Sequence, residues 1–149
     1  MVAKDIMTRE LVTVKPDASI REIAETLVNH KFSGLPVVDE KGHIIGIVSE
    51  GDLMQHELAP EAPEVFTLLG AVIYGKGLKE YRESFRKVAA MTAREIMTQD
   101  VITMQQDEDV SRVGQIMLKH HIKRVPILDG ERLVGIISRQ DIVKMMLEN

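Results

Sequence analysis

The sequence predicts an α+β protein, α/β in the alternation of its elements, made of two related β-α-β-β-α units with a helical insert between them. Three observations carry this expectation. The chain repeats itself at a fixed spacing, each copy alternates short β-rich runs with stretches of helical periodicity, and residues 55–93 between the copies have no counterpart in either.

The repeat opens with Ile6-Met7-Thr8, which returns as Ile96-Met97-Thr98, 90 residues on. Thr13 falls on Thr103, Asp17 on Asp107, His30 on His120, Pro36 on Pro126 and Asp39 on Asp129 at the same spacing. One deletion shortens the spacing to 89, after which Gly46, Ile47, Ser49 and Asp52 meet Gly135, Ile136, Ser138 and Asp141. Each copy alone is too small for a self-sufficient core, so the two are expected to bury their sheets against each other about a pseudo-twofold, with a cleft between them. The expected division is a first domain over residues 1–56, a helical insert over 57–93 and a second domain over 94–149.

In the first copy, residues 11–14 are β-rich and read as a first strand that includes Thr13, as Thr103 is in the second. Pro16-Asp17-Ala18-Ser19 supplies cap candidates for a helix whose apolar positions, Ile20, Ile23, Ala24, Leu27 and Val28, follow at helical spacing. Val110, Val113, Gly114, Met117 and Leu118 repeat that stripe. Residues 35–38 and 44–48 read as two strands joined by the turn-rich Asp39-Glu40-Lys41-Gly42-His43, for which Asp129-Gly130-Glu131-Arg132 is the shorter equivalent. Closing helices are expected to begin near Ser49 and Ser138. In the insert, Pro60 and Pro63 break the chain, and residues 64–69 and 78–90 read as helical, the second with Leu78, Tyr81, Phe85 and Val88 on one face.

Composition narrows the functional classes. Lys plus Arg is 19 and Asp plus Glu is 23, so the net charge of −4 is wrong for a protein that binds polyanions by counterion release. A basic run at Lys76, Lys79, Arg82, Arg86, Lys87 and Arg94 is diluted by Glu80, Glu83 and Glu95, so nucleic-acid binding is not expected. With 44% hydrophobic and 28% charged residues the chain is globular, and with no cysteine it has neither disulfides nor thiolate sites, which suits the cytoplasm. The charged N-terminus does not resemble a secretion signal, and the longest near-apolar run, 65–74, falls short of the roughly 20 residues of a membrane span. Neither export nor membrane insertion is expected. No HExxH, P-loop, GxGxxG or GxSxG pattern occurs, and the five histidines lack ligand spacing. Catalytic machinery, a metal site and a required cofactor are therefore not expected.

The polar residues that recur are more informative. Ser49-Glu50-Gly51-Asp52 and Ser138-Arg139-Gln140-Asp141 each place a serine three residues before an acid at a strand-to-helix junction, close to a capping box. That arrangement satisfies a helix start. It also suits a ligand, because free N–H groups and the dipole at a helix N-terminus attract phosphate while a nearby carboxylate accepts both hydroxyls of a ribose. Before the shared proline the copies differ: Lys123-Arg124-Val125-Pro126 in the second, Ser33-Gly34-Leu35-Pro36 in the first. Lys123 and Arg124 are either a solvated surface pair or a phosphate contact, for which the planar fork of arginine is suited.

The Ile-Met-Thr start, the hydrophobic-Thr-hydrophobic segment, LPVVD and VPILD, and GIVSEGD and GIISRQD together resemble cystathionine-β-synthase (CBS) domains. The resemblance implies a tandem pair, often called a Bateman module, that is regulatory and binds adenosine-containing ligands such as AMP, ADP, ATP, S-adenosylmethionine or NAD. It assigns phosphate contacts to Ser49 and Ser138, with Lys123 and Arg124, ribose contacts to Asp52 and Asp141, and the adenine pocket to Thr13 and Thr103. Gly34 departs from the basic residue common at its position. The resemblance further implies a homodimer and a regulated partner protein, hence a sensor and not an enzyme. The alternatives are an interaction module with vestigial pockets and a nucleic-acid-binding protein.

Overall fold

A computed structural model describes residues 1–57, 65–68, 71–74 and 91–148. The elements in chain order are α1 (Ala3–Ile6), α2 (Ile20–His30), β1 (Gly34–Val38), β2 (Ile44–Ser49), α3 (Glu50–Glu57), β3 (Val65–Leu68), β4 (Ala71–Tyr74), α4 (Ala93–Ile96), β5 (Met104–Gln105), α5 (Val110–Lys119), β6 (Arg124–Asp129), β7 (Arg132–Ser138) and α6 (Arg139–Glu148). Short helices and small sheets make the fold α+β, as expected. β1 pairs with β2, β3 with β4, and β6 lies between a parallel β5 and an antiparallel β7.

The two long stripes form the helices they predict. Of the cap candidates before α2, Ser19 is used: its Oγ accepts the Glu22 N–H at 3.1 Å and its own N–H donates to Glu22 Oε2 at 2.9 Å. Asp109 takes that place before α5 and accepts the Ser111 N–H at 2.8 Å. Ile20, Ile23 and Leu27 are buried on α2, and Val110, Val113 and Met117 on α5. Each such side chain contributes about 1.5–3 kcal/mol by leaving water, which stabilises these helices beyond their propensity. Past the helices, Lys31 (φ 55°) and His121 (φ 54°) both turn left-handed at equivalent places, where glycine is the usual residue.

The described residues divide between two units. One draws on Met1–Lys15, Pro36–Ile47 and Thr98–Asn149, the other on Pro16–Leu35 and Val48–Met97. In each, the short helix comes from the other copy's leading segment. In the first unit, Ala3 and Lys4 of α1 donate to the carbonyls of Glu108 and Gln106, and Thr8 exchanges backbone bonds with Ile136 of β7 at 2.9 and 3.1 Å. Met7 and Ala3 are buried there with Val113, Met117, Val125, Ile127 and Ile137. In the second, Ala93 and Arg94 of α4 donate to the carbonyls of Ala18 and Pro16, and α4 packs against α3.

Two expectations are corrected. Residues 11–14 do not form a strand: Val14 alone bridges Val37, donating to Pro36 O and accepting from Val38 N, both at 3.0 Å. Thr13 therefore precedes a single bridge, and Thr103 precedes the two-residue β5. The copies differ because Gln106 donates its N–H to Leu128 O at 2.9 Å, and Pro16, at the matching position, has no N–H to donate. The second correction lies in the insert, where residues 64–69, read as helical, contain the strand β3, paired antiparallel with β4 from Val65↔Tyr74 to Leu68↔Ala71. These runs are rich in β-branched and aromatic residues and separated by two residues ending in Gly70, which is hairpin spacing. The expected helix over 78–90 lies outside the described residues.

Candidate functional site

Both Ser-Asp junctions adopt the box that their spacing allows. In the second unit, Asp52 Oδ2 accepts the Ser49 backbone N–H at 2.8 Å and its hydroxyl at 2.9 Å, while Ser49 Oγ accepts the Asp52 N–H at 3.2 Å. In the first unit, Asp141 Oδ2 accepts the Ser138 N–H and hydroxyl, both at 2.7 Å, and Ser138 Oγ accepts the Asp141 N–H at 3.3 Å. Matching bonds agree within 0.2 Å. All four side chains are half-buried, so the carboxylates are oriented by the protein yet open to a ligand. Because the bonds engage Oδ2, each carboxylate is fixed in rotation and presents its other oxygen in a defined direction.

The segment before each proline is tied to the same junction. Ser33 O accepts the Glu50 N–H at 2.9 Å, and Lys123 O accepts the Arg139 N–H at 3.0 Å. Arg139 Nε donates to Ile122 O at 2.9 Å, adding a second tie in the first unit. Across the β6–β7 ladder Arg124 stands directly opposite Ser138, so both side chains leave the sheet on one face. The structure thus gathers Ser138, Asp141, Arg124 and the Lys123 backbone at one helix N-terminus. Ser49, Asp52, Ser33 and Gly34 are gathered at the other, without a basic side chain on the strand.

Thr13 and Thr103 stand apart from this pattern. Thr103 is half-buried just before β5, and Thr13 is exposed. Thr13 lines a cavity of about 660 Å³ in the first unit whose lining includes neither Ser138 nor Asp141. That cavity lies between the turn joining β1 to β2 and the turn joining β6 to β7. Lys41, His43, Asp129 and Arg132 line it, and sequence reading saw in them only turn residues. Their one visible signal was the deletion between the two turns.

Among the described residues no group of three or more His, Asp or Glu side chains is placed to hold a metal ion. No helix among them is long and apolar enough to cross a membrane.

The same geometry has relatives. The family model of the CBS domain matches residues 3–59 and 93–148, which is both copies of the repeat. The chain belongs to the CBS-domain family. An uncharacterised protein of Methanocaldococcus jannaschii is 28% identical over 155 residues, covering 99% of this chain and 92% of the relative. The L-aspartate semialdehyde sulfurtransferase of the same organism is 31% identical over 97% of this chain, which spans 23% of that enzyme's length. A crystal structure of a CBS-domain pair in complex with 5′-methylthioadenosine and S-adenosyl-L-methionine is similar with a TM-score of 0.74 and 29% identity, over 99% of this chain and 97% of that one.

Proposed function

We propose that this CBS-domain pair is a regulatory module that binds an adenosine-containing ligand at its Ser-Asp junctions and passes occupancy on as a conformational or oligomeric change. The recurrence of one junction twice, with a carboxylate oriented at a helix N-terminus beside the pre-proline strand, is the observation that supports this reading. The related pair at 29% identity holds two ligands that both contain adenosine. In this reading Asp52 and Asp141 accept the ribose hydroxyls. Ser49 and Ser138, at the two helix starts, are assigned to the ligand's phosphate or carboxylate, joined in the second copy by Lys123 and Arg124. Thr103 is assigned to the adenine side, whereas Thr13, expected there from the resemblance, lines the cavity between the hairpin turns and is left out of this assignment. Nothing in this constellation supplies a nucleophile with its base, so the role of the site is recognition.

The module is further proposed to act as a homodimer. Val28 on α2 and Leu118 on α5 occupy equivalent positions and are 75% and 69% exposed, while Val143, Met146 and Leu147 form an exposed apolar stripe on α6. Apolar helix faces of this kind are covered when a second copy packs on them.

Calorimetry with S-adenosylmethionine, methylthioadenosine, AMP and ATP tests the site. Asp52→Ala and Asp141→Ala are each expected to weaken the bound ligand by about tenfold or more, because a hydrogen bond to a charged group contributes roughly 1.5–3 kcal/mol. Each variant also loses a cap worth about 1 kcal/mol of stability, so ligand-free melting is recorded in parallel. Wild-type protein that binds none of the four ligands, or unchanged affinity in both variants, refutes the reading.

A further inference from the structure

We infer that the cavity between the two hairpin turns of the first unit is a second small-molecule site, separate from the Ser-Asp junctions, that takes an organic monoanion: an apolar ring or chain bearing one sulfonate, carboxylate or phosphate ester. At about 660 Å³ it falls within the usual range of ligand cavities, roughly 300–1,000 Å³. Leu11, Val38 and Leu133 supply an apolar wall.

The charges on the rim decide the class of ligand. Glu131 Oε2 stands 3.9 Å from His43 Nε2, and His43 Nδ1 stands 4.0 Å from Asp39 Oδ2, so these three groups face one another. Lys41 and Arg132 line the same cavity and enter no ion pair among the described residues. Arg132 offers its charge to an incoming anion, as does Lys41, which also attracts the neighbouring Asp39 carboxylate. Asp129 shares the rim and also has no ion pair among the described residues, which sets a second negative charge on the ligand against a carboxylate. A single anionic group with an apolar body fits this arrangement and a polyphosphate does not.

The cations are carried on turns that are already ordered. Asp39 Oδ1 accepts the backbone N–H groups of Lys41 and His43, both at 2.9 Å, and these bonds, the one from His43 foremost, hold the Asp39 carboxyl below the usual carboxylate range. In the other turn Gln105 clamps Gly130, donating to its carbonyl and accepting its N–H at 3.0 Å each. Lys41 and Arg132 thus need little backbone ordering when a ligand arrives, which reduces the entropic cost of binding.

The probe is anilinonaphthalenesulfonate, an aromatic monoanion whose fluorescence reports transfer to an apolar site. Titration is expected to show one saturable site per chain, unchanged by saturating S-adenosylmethionine and unchanged in Asp52→Ala and Asp141→Ala. Lys41→Ala and Arg132→Ala are each expected to weaken it by about tenfold, with melting temperatures like wild type because both side chains are exposed. Asp129→Asn is expected to tighten it. Loss of the probe in Asp141→Ala or on adding S-adenosylmethionine places it at the junction and overturns the inference, as does binding that ignores both Lys41→Ala and Arg132→Ala. Failure of the adenosine reading leaves these outcomes unaffected.

Discussion

Gly135→Ala tests the joint between the leading segment of one copy and the last strand of the other. A Cβ at Gly135 would stand 2.5 Å from Met7 Sδ, 2.7 Å from its Cγ and 3.1 Å from its Cβ. Carbon atoms pack best at about 3.5–4.0 Å, so the overlap is close to an ångström and extends up to Met7 Cβ, where no rotamer change relieves it. Met7 is 7% exposed, and α1 is pinned by the bonds of Ala3, Lys4 and Thr8, so moving the backbone breaks those bonds. Overpacking of this kind costs about 1–3 kcal/mol, against a gain of roughly 0.5–1 kcal/mol from removing glycine from a strand. The net loss is about 1.5 kcal/mol. For a chain of this size that lowers the melting temperature by roughly 3–6 °C. Melting followed by circular dichroism measures it, together with Met7→Ala and the double variant. In the Met7→Ala background the new methyl enters vacated space, so Gly135→Ala becomes neutral or stabilising there. A single variant that melts at or above wild type, or the same loss in both backgrounds, refutes the reasoning.

Unequal junctions follow from Arg124, which faces Ser138 across β6–β7 where the first copy has Gly34. Arg124→Ala is expected to weaken ATP at least tenfold while leaving adenosine nearly unchanged, with a loss that shrinks at high salt; calorimetry showing equal losses for the two ligands counts against it. The homodimer predicts a light-scattering mass twice that of the chain at micromolar concentration, reduced to that of the monomer by Leu118→Glu with Met146→Glu. Wild-type protein that is monomeric at those concentrations rejects it.

What the sequence determines here is local. Periodicity places α2 and α5, turn chemistry places the β1–β2 and β6–β7 hairpins, and the Ser-x-x-Asp spacing specifies both boxes, because each depends on residues a few positions apart. Even local rules fail where short apolar runs fit two templates, as in Val65–Leu68, which satisfies strand and helix patterns alike. The length of the first strand rests on a single residue, Pro16 against Gln106, and its effect shows only when the partner carbonyl is in place. The exchange of α1 and α4 has no local signature. Ile-Met-Thr occurs twice, and so does the strand it pairs with, so either copy could have received either segment by pattern alone. Tertiary structure decides this through contacts such as Thr8 with Ile136 and Met7 over Gly135. The same holds for the hairpin cavity, where Lys41 and Arg132 are 91 positions apart in the chain and come to line one space only because the two turns meet.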